Sequence, residues 1–111
     1  MNARLFAALL TATVETPIVA AFYSTQAWRM AATCLVATLG TNVAMNAWLP
    51  RYTSSYLEWL VVGEALAFGL EALAYAAVAR PRDFTRAIAA SATANAASLG
   101  AGVLVGGLGL G

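Results

Sequence analysis

Histidine and lysine are absent from this chain of 111 residues, cysteine occurs once, and only 10% of the residues are charged. Each shortage removes a class of function. Without His and with one Cys, a zinc or copper site lacks its usual ligands and a haem lacks its axial ones, so no metal site is assigned with certainty. Cys34 cannot close an intrachain disulfide, and within Ala-Ala-Thr-Cys-Leu-Val-Ala it reads as a small buried hydrophobe. The formal net charge is +1 and the Arg residues form no basic run, which sets nucleic acid aside as a partner. A Gly-rich phosphate loop and a nucleophile elbow are also missing, so the chain is not read as an enzyme and no catalytic residue is assigned.

What the chain has in excess is apolar sequence: 61% of its residues are hydrophobic and the mean hydropathy is +0.74. Soluble domains carry roughly 25% charged residues to cover their surface. Here lipid must do that covering. A helix needs about 20 mostly apolar residues to cross about 30 Å of hydrocarbon, and four windows qualify, at 3–23, 28–49, 56–79 and 84–107. The breaks between them fall at Tyr23-Ser24-Thr25-Gln26, at 49–55 and at Arg80-Pro81-Arg82-Asp83, where turn formers meet charge or hydroxyls. The N-terminal Arg4 and the apolar run after it have the look of a signal peptide, but three equally apolar segments follow, so the first is expected to span as well.

These features predict an all-α integral membrane protein in one domain, 1–111, folded as a four-transmembrane-helix up-down-up-down bundle, because such short connections force antiparallel neighbours. Trp28, Trp48, Trp59, Tyr23, Tyr52 and Tyr56 fall near the proposed helix ends, as every Arg does, in keeping with the aromatic belt and the avoidance of charge at mid-bilayer. Arg29, Arg80, Arg82 and Arg86 lie in or beside the first and third connections, against Arg4 and Arg51 on the other side, so the positive-inside rule places both termini outside. The Ala and Gly content, with Arg in place of Lys, suits a GC-rich bacterial genome and hence an inner membrane.

Against this apolar background the acids stand out. Glu15, Glu64 and Glu71 lie well inside the windows, with no basic residue inside to pair with them. A charge near the bilayer centre costs roughly 2.5–3.5 kcal/mol or more, which makes these residues functional candidates. Burial and mutual repulsion disfavour their ionised forms, and a proton or bound cation relieves both. Pro17 lies two residues beyond Glu15 and frees the carbonyl of Thr13, an acceptor expected beside the acid.

Each remaining helix carries polar residues at helical spacing: Thr38, Asn42 and Asn46 on the second, Glu64, Glu71 and Tyr75 on the third, and Ser91, Asn95, Ser98 and Gly102 on the fourth. Sorting by depth puts Glu15, Glu71 and Ser91 toward the first and third connections, and Glu64, Asn42, Asn46 and Ser98 toward the termini, with Asn95 between. If the faces converge they form an axial column of oxygen atoms, suited to protons, Na⁺, Mg²⁺ or Ca²⁺ and to no larger cofactor. The expected function is binding or translocation of protons or hard cations through intramembrane carboxylates, coupled to movement of a small solute.

Four helices enclose little volume, so a homo-oligomer or other membrane subunits are expected as partners. Small residues at Gly63, Ala67, Gly102 and Gly106 offer helix-packing surfaces. A second reading has the chain as an accessory structural subunit of a larger membrane complex, its buried Glu residues paired with or hydrogen-bonded to other chains. Asn, Ser, Thr and protonated Glu also serve as plain interhelical hydrogen-bonding groups, each contributing on the order of 0.6–2 kcal/mol.

Overall fold

The computed structural model describes residues 3–51 and 53–107 and is all-helical. Four helices follow in order: α1 (Ala3–Phe22), α2 (Ala27–Ala47), α3 (Tyr56–Val78) and α4 (Phe84–Gly107). Short 3₁₀ turns at Ser24–Gln26 and Leu49–Arg51 lie in the first two connections. The helix starts follow from local chemistry. Ser55 caps α3 by accepting the Glu58 backbone N–H at 3.1 Å, while Ser54 donates to the Glu58 carboxylate at 2.9 Å. The Asp83 carboxylate accepts the Arg86 N–H at 3.0 Å, which satisfies one of the orphan donors at the start of α4.

Three stretches, Ser24–Ala47, Glu58–Val78 and Phe84–Val105, are long and apolar enough to cross a membrane. The described apolar part of α1, Ala8–Phe22, is shorter than a full crossing. The expectations at Tyr52, and at the side chains of Arg4 and Tyr56, lie outside the described residues.

α1 packs against α2 and α4, and α3 packs against the same two, while the backbones of the diagonal pairs stay apart among the described residues. The result is a ring of four helices whose polarity is inverted relative to a soluble domain. Large apolar side chains point outward, with Trp28 91%, Val36 74% and Val103 68% exposed, while Glu15, Thr38, Glu71, Ser91, Asn95 and Ser98 are buried. Outward hydroxyls are tied to their own helices: Thr13 donates to the Leu9 carbonyl at 2.7 Å and Thr33 to that of Arg29 at 2.9 Å. Such an exterior is consistent with a membrane location.

One end of the ring is filled. Val19, Tyr23, Met30, Cys34 and Tyr75 pack there with Ala76, Ala79, Ala87, Ala90 and Ala94. The alanines on α3 and α4 allow backbones to approach closely enough to close that end. Tyr23 is therefore a core residue and not an outward-facing belt aromatic; the Arg86 guanidinium lies 5.9 Å from its ring centroid, and its hydroxyl has no hydrogen-bond partner among the described residues. A clasp crosses the outside of the same end, where the Gln26 amide gives its Nε2 to the Arg80 carbonyl at 2.7 Å and accepts the Arg80 N–H at 3.0 Å.

Candidate functional site: a buried carboxylate pair beneath a cavity

Beyond the filled end, the centre of the ring becomes polar. Glu15 from α1 and Glu71 from α3 are each 1% exposed. Between them stands Thr38 of α2, whose hydroxyl lies 3.2 Å from Glu15 Oε1 and 3.4 Å from Glu71 Oε1. The two carboxyl groups are also within hydrogen-bonding reach of each other, with the Asn95 amide beside Glu71. Ser98 of α4 donates to Glu15 Oε2 at 2.6 Å, and Tyr75 donates to Glu71 Oε1 at 3.3 Å. All four helices thus contribute to one layer.

Counting hydrogens shows what this layer demands. Two ionised carboxylates are acceptors only, and a hydroxyl has one proton to give. The Thr38 proton cannot serve both carboxylates fully, and Cys34 Sγ lies 3.7 Å from the same hydroxyl as a further neighbour. Among the described residues no cation offers relief: Arg29, Arg51, Arg80, Arg82 and Arg86 are all exposed. Two carboxyl groups in contact at such a place are satisfied when a proton lies between them, one then serving as donor and the other as acceptor.

The expected site residues gather in part. Glu15, Glu64, Glu71, Asn42, Asn46, Asn95 and Ser98 all line one cavity of about 530 Å³ that starts at the carboxylate pair. Phe6, Met45, Trp59, Leu60 and Val105 line it further out, so the beginnings of α1 and α3 and the ends of α2 and α4 share its walls. Tyr75 and Ser91 are buried outside that lining: Tyr75 supports Glu71, and Ser91 donates to the Phe68 carbonyl at 2.8 Å while accepting from Asn95 at 3.3 Å. Glu64 is half-buried and makes no hydrogen bond to the pair among the described residues. Among the described residues, no three His, Cys, Asp or Glu side chains converge as a metal site.

The small residues divide similarly. Gly63 is buried with its Cα against the Met45 side chain, and Ala67 is buried on the cavity wall, so both serve contacts inside this chain. Gly102 is exposed, with open space where a Cβ would stand. The surroundings of Gly106 lie outside the described residues.

Two geometric expectations need correction. Ser98 does not belong to a separate outer layer, because its hydroxyl bonds Glu15 directly. Helix tilt and side-chain length move a hydroxyl several ångströms from the depth that residue counting assigns. Nor does Pro17 bring an acceptor to Glu15. Thr13 and Pro17 are exposed while Glu15 between them is buried. At about 100° per residue, positions two apart lie on nearly opposite sides of a helix, so the freed carbonyl faces outward.

Thr38 and Cys34 are neighbours of the carboxyl pair that the polar pattern only half disclosed. Thr38 heads the Asn42 and Asn46 stripe, which was the available signal for it. Cys34 looks like any buried hydrophobe until the fold sets Thr16 and Thr38 beside its sulfur, at 3.8 and 3.7 Å. No protein-family model, characterised protein or solved structure matches the chain.

Proposed function

We propose that this chain is a small helical membrane protein that binds and releases a proton at the Glu15–Glu71 pair, as the coupling step in moving a cation or small solute across the bilayer. The observation that carries the reading is the pair itself: two fully buried carboxyl groups joined through one Thr38 hydroxyl, with every described Arg on the exterior. Plain interhelical hydrogen bonding needs no second carboxyl at such a place, where an amide would serve without the cost of a buried charge. Burial of both groups among the helices of one chain also weighs against neutralisation by a partner subunit's Arg or Lys.

The inverted polarity of the ring supports insertion in a membrane, and the cavity supports an up-down-up-down order, since it gathers helix beginnings and ends in the alternation that such an order requires. The four Arg residues of the first and third connections then lie at the closed end. By the positive-inside rule that end is cytoplasmic, and the cavity opens to the side of the termini. Proton access to the pair is one-sided in this form, and transport requires a second form in which the closed end parts.

The test is spectroscopic and functional. In lipid nanodiscs the wild-type protein is expected to show the infrared carbonyl band of a buried protonated carboxyl, absent from Glu15→Gln/Glu71→Gln. In liposomes the same double variant is expected to lose pH-driven flux. A wild-type protein without that band, or a double variant with unaltered flux, overturns the reading.

A further inference from the structure

The polar wall of the cavity is richer in open acceptors than in open donors. Asn42 gives its Nδ2 to the Thr38 carbonyl at 2.9 Å, and Asn46 gives its own to the Asn42 carbonyl at 2.8 Å. A carbonyl oxygen can be met only by the NH₂ end of an amide; each NH₂ spends one of its two hydrogens in this way, while each side-chain oxygen has no partner among the described residues and keeps both lone pairs for the cavity that these residues line. The remaining donors are largely engaged elsewhere. Thr41 gives its hydroxyl to the Thr38 carbonyl at 3.0 Å, and Trp59 gives its indole N–H to the Met45 carbonyl at 2.7 Å. Glu64 lines the same space and has no hydrogen-bond partner among the described residues. Asn95 gives its Nδ2 to Ser91, Ser98 gives its hydroxyl to Glu15, and the Thr11 hydroxyl accepts as readily as it gives.

We propose that the cavity binds an organic ammonium: a protonated primary amine carrying an apolar or aromatic body. Its N–H groups meet the Glu64 carboxylate and the Asn42 and Asn46 oxygens, and its body lies against Phe6, Leu10, Trp59 and Leu60. A volume of about 530 Å³ matches a small organic molecule. An inorganic cation would want six or more oxygens around it and would leave the aromatic and aliphatic wall without a purpose. A quaternary ammonium would fill the volume but give no hydrogen to the acceptors, leaving them dehydrated and unmet. Phe6 and Trp59 add attraction for a cation near their rings. The inference rests on the proton-binding reading, since the arriving positive charge is what drives the proton from the Glu15–Glu71 pair below.

The experiment uses the full chain in lipid nanodiscs with Trp28→Phe and Trp48→Phe, so that emission comes from Trp59 at the cavity wall. Protein-free nanodiscs supply the background. Benzylammonium is expected to quench Trp59 saturably and to bind at least about tenfold more tightly than benzyltrimethylammonium. Glu64→Gln is expected to weaken benzylammonium by about tenfold while leaving the infrared band of the protonated pair as in wild type. Asn46→Leu, which keeps the volume and removes an acceptor, is expected to weaken it in the same direction. Equal affinity for the two amines, undiminished binding in both variants, or no saturable binding by a protein that shows the carboxyl band overturns the amine assignment alone. Absence of the band in wild type overturns the proton-binding reading, and this inference with it.

Discussion

The two ends of the helix ring are built from the same elements and behave oppositely. At the end bounded by the first and third connections, Ala87, Ala90 and Ala94 of α4 meet Tyr75, Ala76 and Ala79 of α3, and Val19, Met30 and Cys34 fill the rest. At the other end the inward positions become Asn42, Asn46, Glu64 and Ser98, and the ring holds a cavity in place of a core. Apolar side chains close the space between helices from any direction, whereas carboxyl and amide groups need partners in particular places and leave room where none is present. The carboxylate pair stands at the boundary. Side chains fill the ring on one side of it, and the cavity lies on the other.

The sharpest way to break this contrast is at the boundary. Glu71→Gln leaves Glu15 as a lone carboxyl whose ionised form the new amide N–H can satisfy, so a shared proton is no longer required, and pH-driven flux in liposomes should fall to the background of empty vesicles. Retention of flux would place the coupling elsewhere. Filling the closed end too tightly comes next. Ala94→Leu, at a position with no exposure, should destabilise the bundle by about 1–3 kcal/mol in a detergent denaturation series. A loss close to zero would show that the closed end yields to larger side chains.

Smaller effects sharpen the comparison. Gln26→Ala removes both hydrogen bonds of the clasp to Arg80, and should lower stability by about 1 kcal/mol while speeding hydrogen exchange in the first and third connections. Exchange confined to the cavity end would contradict the placement of the latch. Gly102→Ala meets open space at the cavity end and gains helix propensity, so it should stabilise by at most about 1 kcal/mol, in contrast to Ala94→Leu. Tyr23→Phe deletes a buried hydroxyl with no partner among the described residues, and is expected to leave thermal stability unchanged or slightly raised.

Much of the fold was legible from composition. Turn formers and charges at Tyr23–Gln26, 49–55 and 80–83 punctuate long apolar runs, and helix ends are set by just such local groups, as the Ser55 and Asp83 caps show. The acids were legible for a similar reason: a Glu amid alanine and leucine is conspicuous whatever surrounds it. Partnerships were not. Nothing in the spacing joins Glu15 to Ser98, since 83 residues separate them, and nothing makes Thr38 the bridge and Asn42 a wall residue, though both lie on one stripe. Pro17 shows the cost of reading proximity along the chain as proximity in space: it is two residues from Glu15 and on the other side of the helix.

By itself, then, the sequence determined that this chain forms apolar helices and that three acids must be placed among them, because helix length and the scarcity of charge are properties of single segments. Tertiary structure alone decided that Glu15 and Glu71 form a pair while Glu64 stands in the cavity, and that one end closes while the other stays open. Those outcomes depend on the relative rotation and tilt of four helices, which no single segment encodes, and on which small residues let two backbones come close.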